Sequence, residues 1–117
     1  HVGGWHYFKE MIGVIENNRK GNKLYAGITG VLDEVNSRVY YLGIEGLKDI
    51  KWQIGTDLMI YGMDYPYNKE EQIKRDIELI KGTNFSDEEV DKILGGNLKR
   101  LLGLEKGKPL IVGGDPN

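Results

Sequence analysis

The pattern of apolar and polar positions along the chain predicts strands and helices in alternation. Residues 1–4 are typical of the end of a strand followed by a glycine turn, and apolar side chains then recur at helical spacing over 8–15. Short apolar runs at 24–29 and 58–61 predict two further strands, and 39–54 is predicted to be helical for much of its length. This order implies helical crossovers, so we expect the two apolar runs to form adjacent parallel strands.

Helix signals dominate the stretch after the second strand. Asn68 is predicted to cap a helix that ends at Gly82, with Glu71 as the reciprocal partner of the cap. Glu71 and Arg75 are four residues apart and are expected to pair on the outer face of this helix. The buried stripe of the helix is predicted to consist of Ile73, Ile77 and Ile80.

Two short helices are predicted before the C-terminus. Ser86 and Glu89 have the spacing of a capping box, which would open the first of these helices. Asn97 is predicted to start the second, with an inward-facing set of Leu98, Leu101 and Leu102. We therefore expect one domain over 1–104, followed by a tail over 105–117 that is an edge strand or an extended segment.

Composition excludes several classes of function. The formal net charge of −2 argues against a nucleic-acid-binding surface, and no apolar run approaches the roughly 18 residues that a membrane-spanning helix needs. Cysteine is absent, which excludes disulfides and thiolate metal sites and favours a cytoplasmic origin. The 17 glycines fall mostly at predicted ends of elements, as short connections between strands and helices require.

Candidate chemistry begins with Asp64. This carboxylate lies just past the predicted strand 58–61 and two positions before Pro66. In parallel α/β proteins the functional side chains lie at the carboxyl ends of the strands, so Asp64 is a candidate metal ligand or catalytic base. The structural alternative is an aspartate that caps a helix or stabilises the turn before Pro66. The aromatic residues Trp5 and Tyr65 are expected either to line a substrate pocket or to belong to the core.

Three segments resemble motifs of one family, the amidohydrolase-related metal-dependent TIM barrels, which include relatives of aminocarboxymuconate-semialdehyde decarboxylase. Residues 93–104 (ILGGNLKRLLGL) are similar to its C-terminal signature, 61–66 (YGMDYP) to its last barrel strand, and 1–4 (HVGG) to its sixth-strand His-Gly-Gly motif. The three motifs occur in the family's order and cover almost the whole chain. Met63 departs from the pattern, which usually has Ser or Thr at that position.

The resemblance implies a metal site and a class of reaction. It makes Asp64 the carboxylate ligand of a divalent metal, zinc by family habit, and a possible acceptor of a proton from the metal-bound water. His1 would lie beside that water as a polarising group or general base. The metal would polarise a carbonyl or carboxylate of a small-molecule substrate. The implied reactions are hydrolysis and nonoxidative decarboxylation.

The chain is shorter than a complete (β/α)₈ barrel, which needs about 250 residues. We therefore expect the C-terminal part of such a barrel: the end of strand six, then strands seven and eight with their helices. The family's other metal-binding histidines would precede His1, so this 117-residue piece alone is expected to be inactive. Its sheet edges are expected to expose Ile28, Met59 and Ile60, which would favour a homo-oligomer or packing against the rest of the barrel.

The alternative is a self-contained small α/β binding or interaction module. In that case Asp64 would be only structural and no catalysis would be expected. A His-X-His motif in the upstream coding sequence would favour the barrel enzyme, and a start codon directly before His1 would favour the module.

Overall fold

Two short parallel strands form the centre of the fold. The computed structural model describes residues 1–4, 6–20 and 24–104, so the predicted pocket residue Trp5 and the predicted tail over 105–117 lie outside the described residues. Strands β1 (Ala26–Ile28) and β2 (Met59–Tyr61) pair in parallel, with Ile28 opposite Tyr61. The prediction of adjacent parallel strands is confirmed, although each strand is shorter than its apolar run.

Helix α1 (Phe8–Asn17) precedes β1, helix α2 (Gly43–Ile54) lies between β1 and β2, and the two helices pack against each other. Helix α1 buries Ile12 and Ile15, whose spacing of three residues places them on one face of a helix. A 3₁₀ turn at Arg38–Tyr40 comes before α2, so the regular helix begins later than the predicted 39–54.

Helix α3 (Glu70–Lys81) follows β2, but its first turn differs from the prediction. Its N-cap residue is Lys69, and no side chain caps it, so the predicted capping by Asn68 is wrong. The Asn68 side chain instead donates from Nδ2 to the carbonyl oxygen of Met63 at 3.0 Å. The amide therefore stabilises the loop after β2 and is not available to the helix terminus.

The inward face of α3 is more polar than predicted. Its buried residues are Gln72, Asp76 and Ile80, whereas Ile73 and Ile77 are only half-buried. Asp76 accepts hydrogen bonds from the Tyr61 hydroxyl at 2.8 Å and from Gln72 Nε2 at 2.7 Å. A buried carboxylate is tolerated when its oxygens accept hydrogen bonds. These two hydrogen bonds therefore allow Asp76 to lie on the face of α3 that is turned toward β2.

The last helical stretch is kinked. Helix α4 (Asp87–Asp91), a π-helical segment (Lys92–Gly96) and α5 (Asn97–Leu101) follow one another, but the backbone of Gly95, with φ 172° and ψ −24°, is not helical. The capping box at its start is confirmed, because Glu89 N–H donates to Ser86 Oγ at 3.1 Å and Ser86 N–H donates to Glu89 Oε1 at 2.9 Å.

Asn97 begins α5, as predicted. It is fully buried and faces β2, while Leu98, Leu101 and Leu102 are exposed. The predicted inward set is therefore wrong. Asn97 takes the inward position because its amide donates to backbone carbonyls beneath it, and the leucines that follow are turned outward.

The strand side chains are better covered than predicted. Ile28 is 1% exposed and Met59 is 0% exposed, so the prediction that they lie on open edges is wrong, and Ile60 is partly buried. The π-helical segment and α5 both contact β2, and this packing removes the apolar surface from water. The described residues contain a two-stranded sheet, and the assignment to a (β/α)₈ barrel stays a prediction.

Among the helices of the described residues, none combines the length and the apolar character needed to cross a membrane.

Candidate functional site

The carboxyl ends of β1 and β2 form the edge on which the candidate residues lie. Gly62, directly after β2, donates its N–H to the Ile28 carbonyl at 3.2 Å and so extends the pairing by one residue. A Cβ at Gly62 would lie 2.5 Å from Thr29 Oγ1, so a larger residue there would force the Thr29 side chain to move. Glycine at this position therefore lets the two loops that leave the sheet lie side by side.

His1 is held above the end of β1 by two contacts. Its Nδ1 is hydrogen-bonded to the Thr29 carbonyl oxygen, and its ring stacks on Tyr40 with centroids 4.1 Å apart and planes 5° from parallel. Because a carbonyl oxygen only accepts, Nδ1 carries the proton, and Nε2 of the neutral imidazole keeps its lone pair. The ring orientation is therefore suited to accepting a proton at Nε2.

Gly30 makes room for this imidazole. Its φ is +68°, in the left-handed region, and a Cβ there would lie 2.9 Å from His1 Cε1. Glycine meets both requirements at once, because it has no Cβ and adopts positive φ without a steric penalty.

Asp64 lies in the loop that follows β2, at the same edge of the sheet as the end of β1 to which His1 is hydrogen-bonded. Asp64 itself has a φ of +55°, unusual for a residue other than glycine. Strained backbone of this kind clusters at functional sites. Its carbonyl accepts from Asn68 N–H at 2.9 Å, which closes the loop and holds the carboxylate at the sheet edge.

The aromatic residues predicted to line a pocket have different outcomes. Tyr65 is 68% exposed, so the alternative that it belongs to the core is wrong, and its role in a substrate pocket stays a prediction. It precedes Pro66 through a cis peptide bond. Trp5 is not among the described residues.

Asp64, the predicted metal ligand, supplies only part of a metal site. Zinc in proteins usually takes three or four side-chain ligands, and carboxylate oxygen and imidazole nitrogen are both suitable. No group of three or more His, Asp or Glu residues that could hold a metal occurs within 1–4, 6–20 and 24–104. The remaining ligands of the predicted zinc must therefore come from elsewhere.

A second buried carboxylate, Asp33, was not singled out from the sequence. It accepts from the backbone N–H groups of Val35 at 3.1 Å and Asn36 at 3.0 Å, and from Asn36 Nδ2 at 3.0 Å. Burial raises the pKa of Asp33, but these hydrogen bonds and the charge of Arg75 outweigh it and hold the pKa below its usual value. An aspartate with an asparagine three positions later, in the segment after a strand, is the local signal of such a turn.

Concave surfaces on the described part of the chain include a polar cavity, a larger groove, and a cavity of about 310 Å³ that is lined by residues of α3 and by Ile44. The polar cavity, of about 340 Å³, adjoins the Asp64 loop and is lined by residues that include Asp33, Asn68, Gln72 and Arg75. The larger groove, of about 540 Å³, lies between α1 and α2, and none of its lining residues belongs to the loops after β1 or β2. The polar cavity is therefore the one related to the candidate site.

Comparison with known proteins finds no matching protein-family model, no similar curated protein and no similar solved structure. The functional argument for this chain therefore depends on its own residues and geometry.

Proposed function

We propose that this chain supplies part of the active site of a metal-dependent hydrolase or nonoxidative decarboxylase of the amidohydrolase-related barrel type. The observation that supports the proposal is that His1, hydrogen-bonded to the residue after β1, and Asp64, in the loop after β2, lie at the same edge of the sheet. In (β/α)₈ enzymes the active site is built at this edge from loops of several strands. The two residues are distant in sequence, and each belongs to a segment that resembles a motif of the same family.

The proposed roles divide between the two side chains. Asp64 holds a divalent metal, zinc in our proposal, through an exposed carboxylate that fits the oxygen ligands zinc accepts. When bound, zinc would supply a Lewis acid for a carbonyl or carboxylate of a small-molecule substrate. His1 accepts or returns a proton at Nε2, because its Nδ1 proton is engaged by Thr29.

The test is the zinc content and activity of the complete protein with Asp64→Asn and His1→Gln. Asp64→Asn is expected to weaken zinc affinity by about tenfold or more and to abolish hydrolysis of the probe ester 4-nitrophenyl acetate. His1→Gln is expected to retain zinc but to lower the rate of ester hydrolysis by a factor of about 10²–10⁴, the usual contribution of a general base.

Asp49→Asn provides the matched control. Asp49 is an exposed aspartate on α2, in the groove that does not adjoin the candidate site, and its substitution should change neither quantity. Full zinc content and full rate in Asp64→Asn would contradict the proposed site.

A non-catalytic binding or interaction module is the second candidate. The exposed faces of Leu98, Leu101 and Leu102 on the last helix favour it, since contiguous exposed apolar side chains mark interaction surfaces. The same face suits the homo-oligomer, or the packing against further parts of a barrel, that we propose for the enzyme. Loss of association without loss of zinc in a Leu98→Gln, Leu102→Gln variant would separate the two functions.

We also propose a cytoplasmic location, which the absence of cysteine from the chain supports.

A further inference from the structure

The polar cavity beside the Asp64 loop has an unusually buried lining. It lies between the loop after β1 and the first turns of α3, and Asp33, Asn68 and Gln72 line it while being only 7%, 4% and 8% exposed. Buried polar side chains destabilise a protein unless their donors and acceptors have partners. The hydrogen-bond partners of these three side chains therefore show which of their donors and acceptors are left for a ligand.

Two side-chain amide oxygens, those of Asn68 and Gln72, remain available to accept a hydrogen bond. Asn68 uses its Nδ2 to donate to the Met63 carbonyl at 3.0 Å, and Gln72 uses its Nε2 to donate to Asp76 Oδ1 at 2.7 Å. Within the described residues, Asn68 Oδ1 and Gln72 Oε1 accept no hydrogen bond from the protein. Acceptors of this kind are satisfied by the N–H or O–H groups of a ligand or of water.

Two cationic side chains, Arg75 and Lys69, line the cavity together with the carboxylates of Asp33 and Glu71. Neither cation forms an ion pair within 4.0 Å among the described residues, so the predicted Glu71–Arg75 pair is wrong and both cations keep N–H donors for a ligand. Lys74, the neighbour of Arg75, does pair with Glu70 at 2.9 Å. Other cationic side chains that form ion pairs are Arg19, Lys48, Lys51 and Lys92.

Asp33 does not consume the donors of Arg75. The two charges interact across the cavity, but the Asp33 carboxylate is already occupied by the three N–H groups of Val35 and Asn36. The guanidinium therefore retains N–H donors, and their fork matches the two oxygens of a carboxylate.

We propose that this cavity binds a small hydroxy- or amino-substituted carboxylate. The carboxylate lies on the Arg75 guanidinium and the Lys69 ammonium, and the hydroxyl or amino group donates to Asn68 Oδ1 and Gln72 Oε1. Because Asn68 N–H also donates to the Asp64 carbonyl, the ligand lies next to the loop of the candidate metal ligand. Its role as the subsite that orients a substrate rests on the proposed function, whereas the binding itself does not.

The experiment titrates the complete protein with malate and with its neutral diamide, malamide, in buffer passed over a chelating resin. The Nε–H resonance of Arg75 in protein labelled with ¹⁵N-arginine reports the location, and calorimetry reports the affinity. We expect malate to bind saturably and to shift this resonance. Malamide should bind at least about tenfold more weakly than malate, because it lacks the charge that a charge-assisted hydrogen bond requires.

Three variants decide the assignment. Arg75→Gln should weaken malate binding about tenfold or more. Arg75→Lys keeps the charge but loses the paired N–H donors of the guanidinium, so its affinity for malate should lie between those of Arg75→Gln and the wild type. Lys74→Gln, on the same helix and already paired, should bind within about twofold of the wild type. Equal binding of malate and malamide, unchanged affinity in both Arg75 variants, or no saturable binding would overturn the proposal.

The outcome is separable from that of the zinc experiment, because metal is excluded from the titration. Malate bound at Arg75 together with unchanged zinc in Asp64→Asn would remove the proposed function and leave the subsite. Zinc loss in Asp64→Asn without malate binding would remove the subsite and leave the function.

Discussion

Asn97 and Met59 join the last helix to the second strand: Asn97 Nδ2 donates to the Met59 carbonyl at 2.8 Å. The same nitrogen donates to the Thr56 carbonyl at 2.7 Å, and Asn97 Oδ1 accepts from the Arg100 guanidinium at 3.1 Å. The side chain is fully buried and its donors and its acceptor are used. One amide thus fixes α5 against the start of β2, the strand whose other end leads to Asp64.

Asn97→Ala is expected to destabilise the protein by about 2–4 kcal/mol, because two buried carbonyls would lose their donor. Urea unfolding of the variant and wild type gives this free energy. Leu102→Ala is the control: its side chain is exposed on the neighbouring turn and should cost under about 1 kcal/mol. Equal stability of the two variants would show that the amide does not contribute.

The orientation of the His1 imidazole is expected to depend on Tyr40 and Gly30. Gly30→Ala introduces a Cβ near His1 Cε1, and Tyr40→Ala removes the stacked ring, so both should displace the imidazole. Ring ¹⁵N chemical shifts should show the tautomer protonated at Nδ1 in the wild type and a mixture in both variants. If His1 acts as the base, activity should fall by about tenfold or more.

Tyr40→Phe keeps the stacked ring and is the control for both measurements. Ring ¹⁵N shifts of Gly30→Ala and Tyr40→Ala that match those of Tyr40→Phe would show that neither contact orients His1.

The Tyr61–Asp76 hydrogen bond is expected to make stability depend on pH above 10. Burial raises the pKa of Tyr61, and its hydrogen bond to Asp76 and the Asp76 charge raise it further. Above the ordinary tyrosine pKa of about 10 the unfolded chain loses this proton while the folded chain keeps it, so stability falls as pH rises. The slope is at most about 1.4 kcal/mol per pH unit, and less because Tyr61 is only partly buried.

Unfolding free energies of wild type and Tyr61→Phe between pH 8 and pH 11 measure this term. The difference between the two should shrink as pH rises past about 10. Tyr65→Phe, at an exposed tyrosine, should run parallel to the wild type. A parallel course for Tyr61→Phe as well would exclude the raised pKa.

Glu89 is expected to contribute stability that acid removes. The Ser86 N–H and then the Lys51 ammonium, whose Nζ is 3.0 Å from Glu89 Oε1, hold the pKa of Glu89 below its usual value. The stabilisation is present above the unfolded pKa of about 4.3 and is lost as pH falls through the lower folded value. Glu89→Gln should cost about 0.5–1 kcal/mol at neutral pH, since the pair is partly solvated.

Thermal or urea unfolding at neutral pH and near pH 3 checks this sign. Glu88→Gln is the matched control, because Glu88 lies one position earlier, is exposed and approaches Lys92 only at 3.6 Å. An energy difference for Glu89→Gln that is the same at both pH values would contradict the prediction.

Much of the candidate site was predictable from local order along the chain. Asp64 follows an apolar strand, and the His1 motif precedes a glycine turn, so both were expected at one edge of a parallel sheet. Tyr40 under the His1 ring was not predictable, since it comes from a separate 3₁₀ turn. Arg75 was expected to pair with Glu71 because helical spacing allows this contact. The spacing carries no information about the polar cavity, which Arg75 lines without forming the pair.

The sequence by itself determined the elements whose hydrogen bonds or periodicity are local. The Ser86–Glu89 cap involves residues three positions apart, and the apolar runs that became β1 and β2 are continuous, so both follow from neighbouring residues. Only the tertiary structure decided which faces α3 and α5 bury. Asn97 points inward and Leu98 outward because buried carbonyls far away in the chain need donors, a requirement that no local pattern of apolar residues contains.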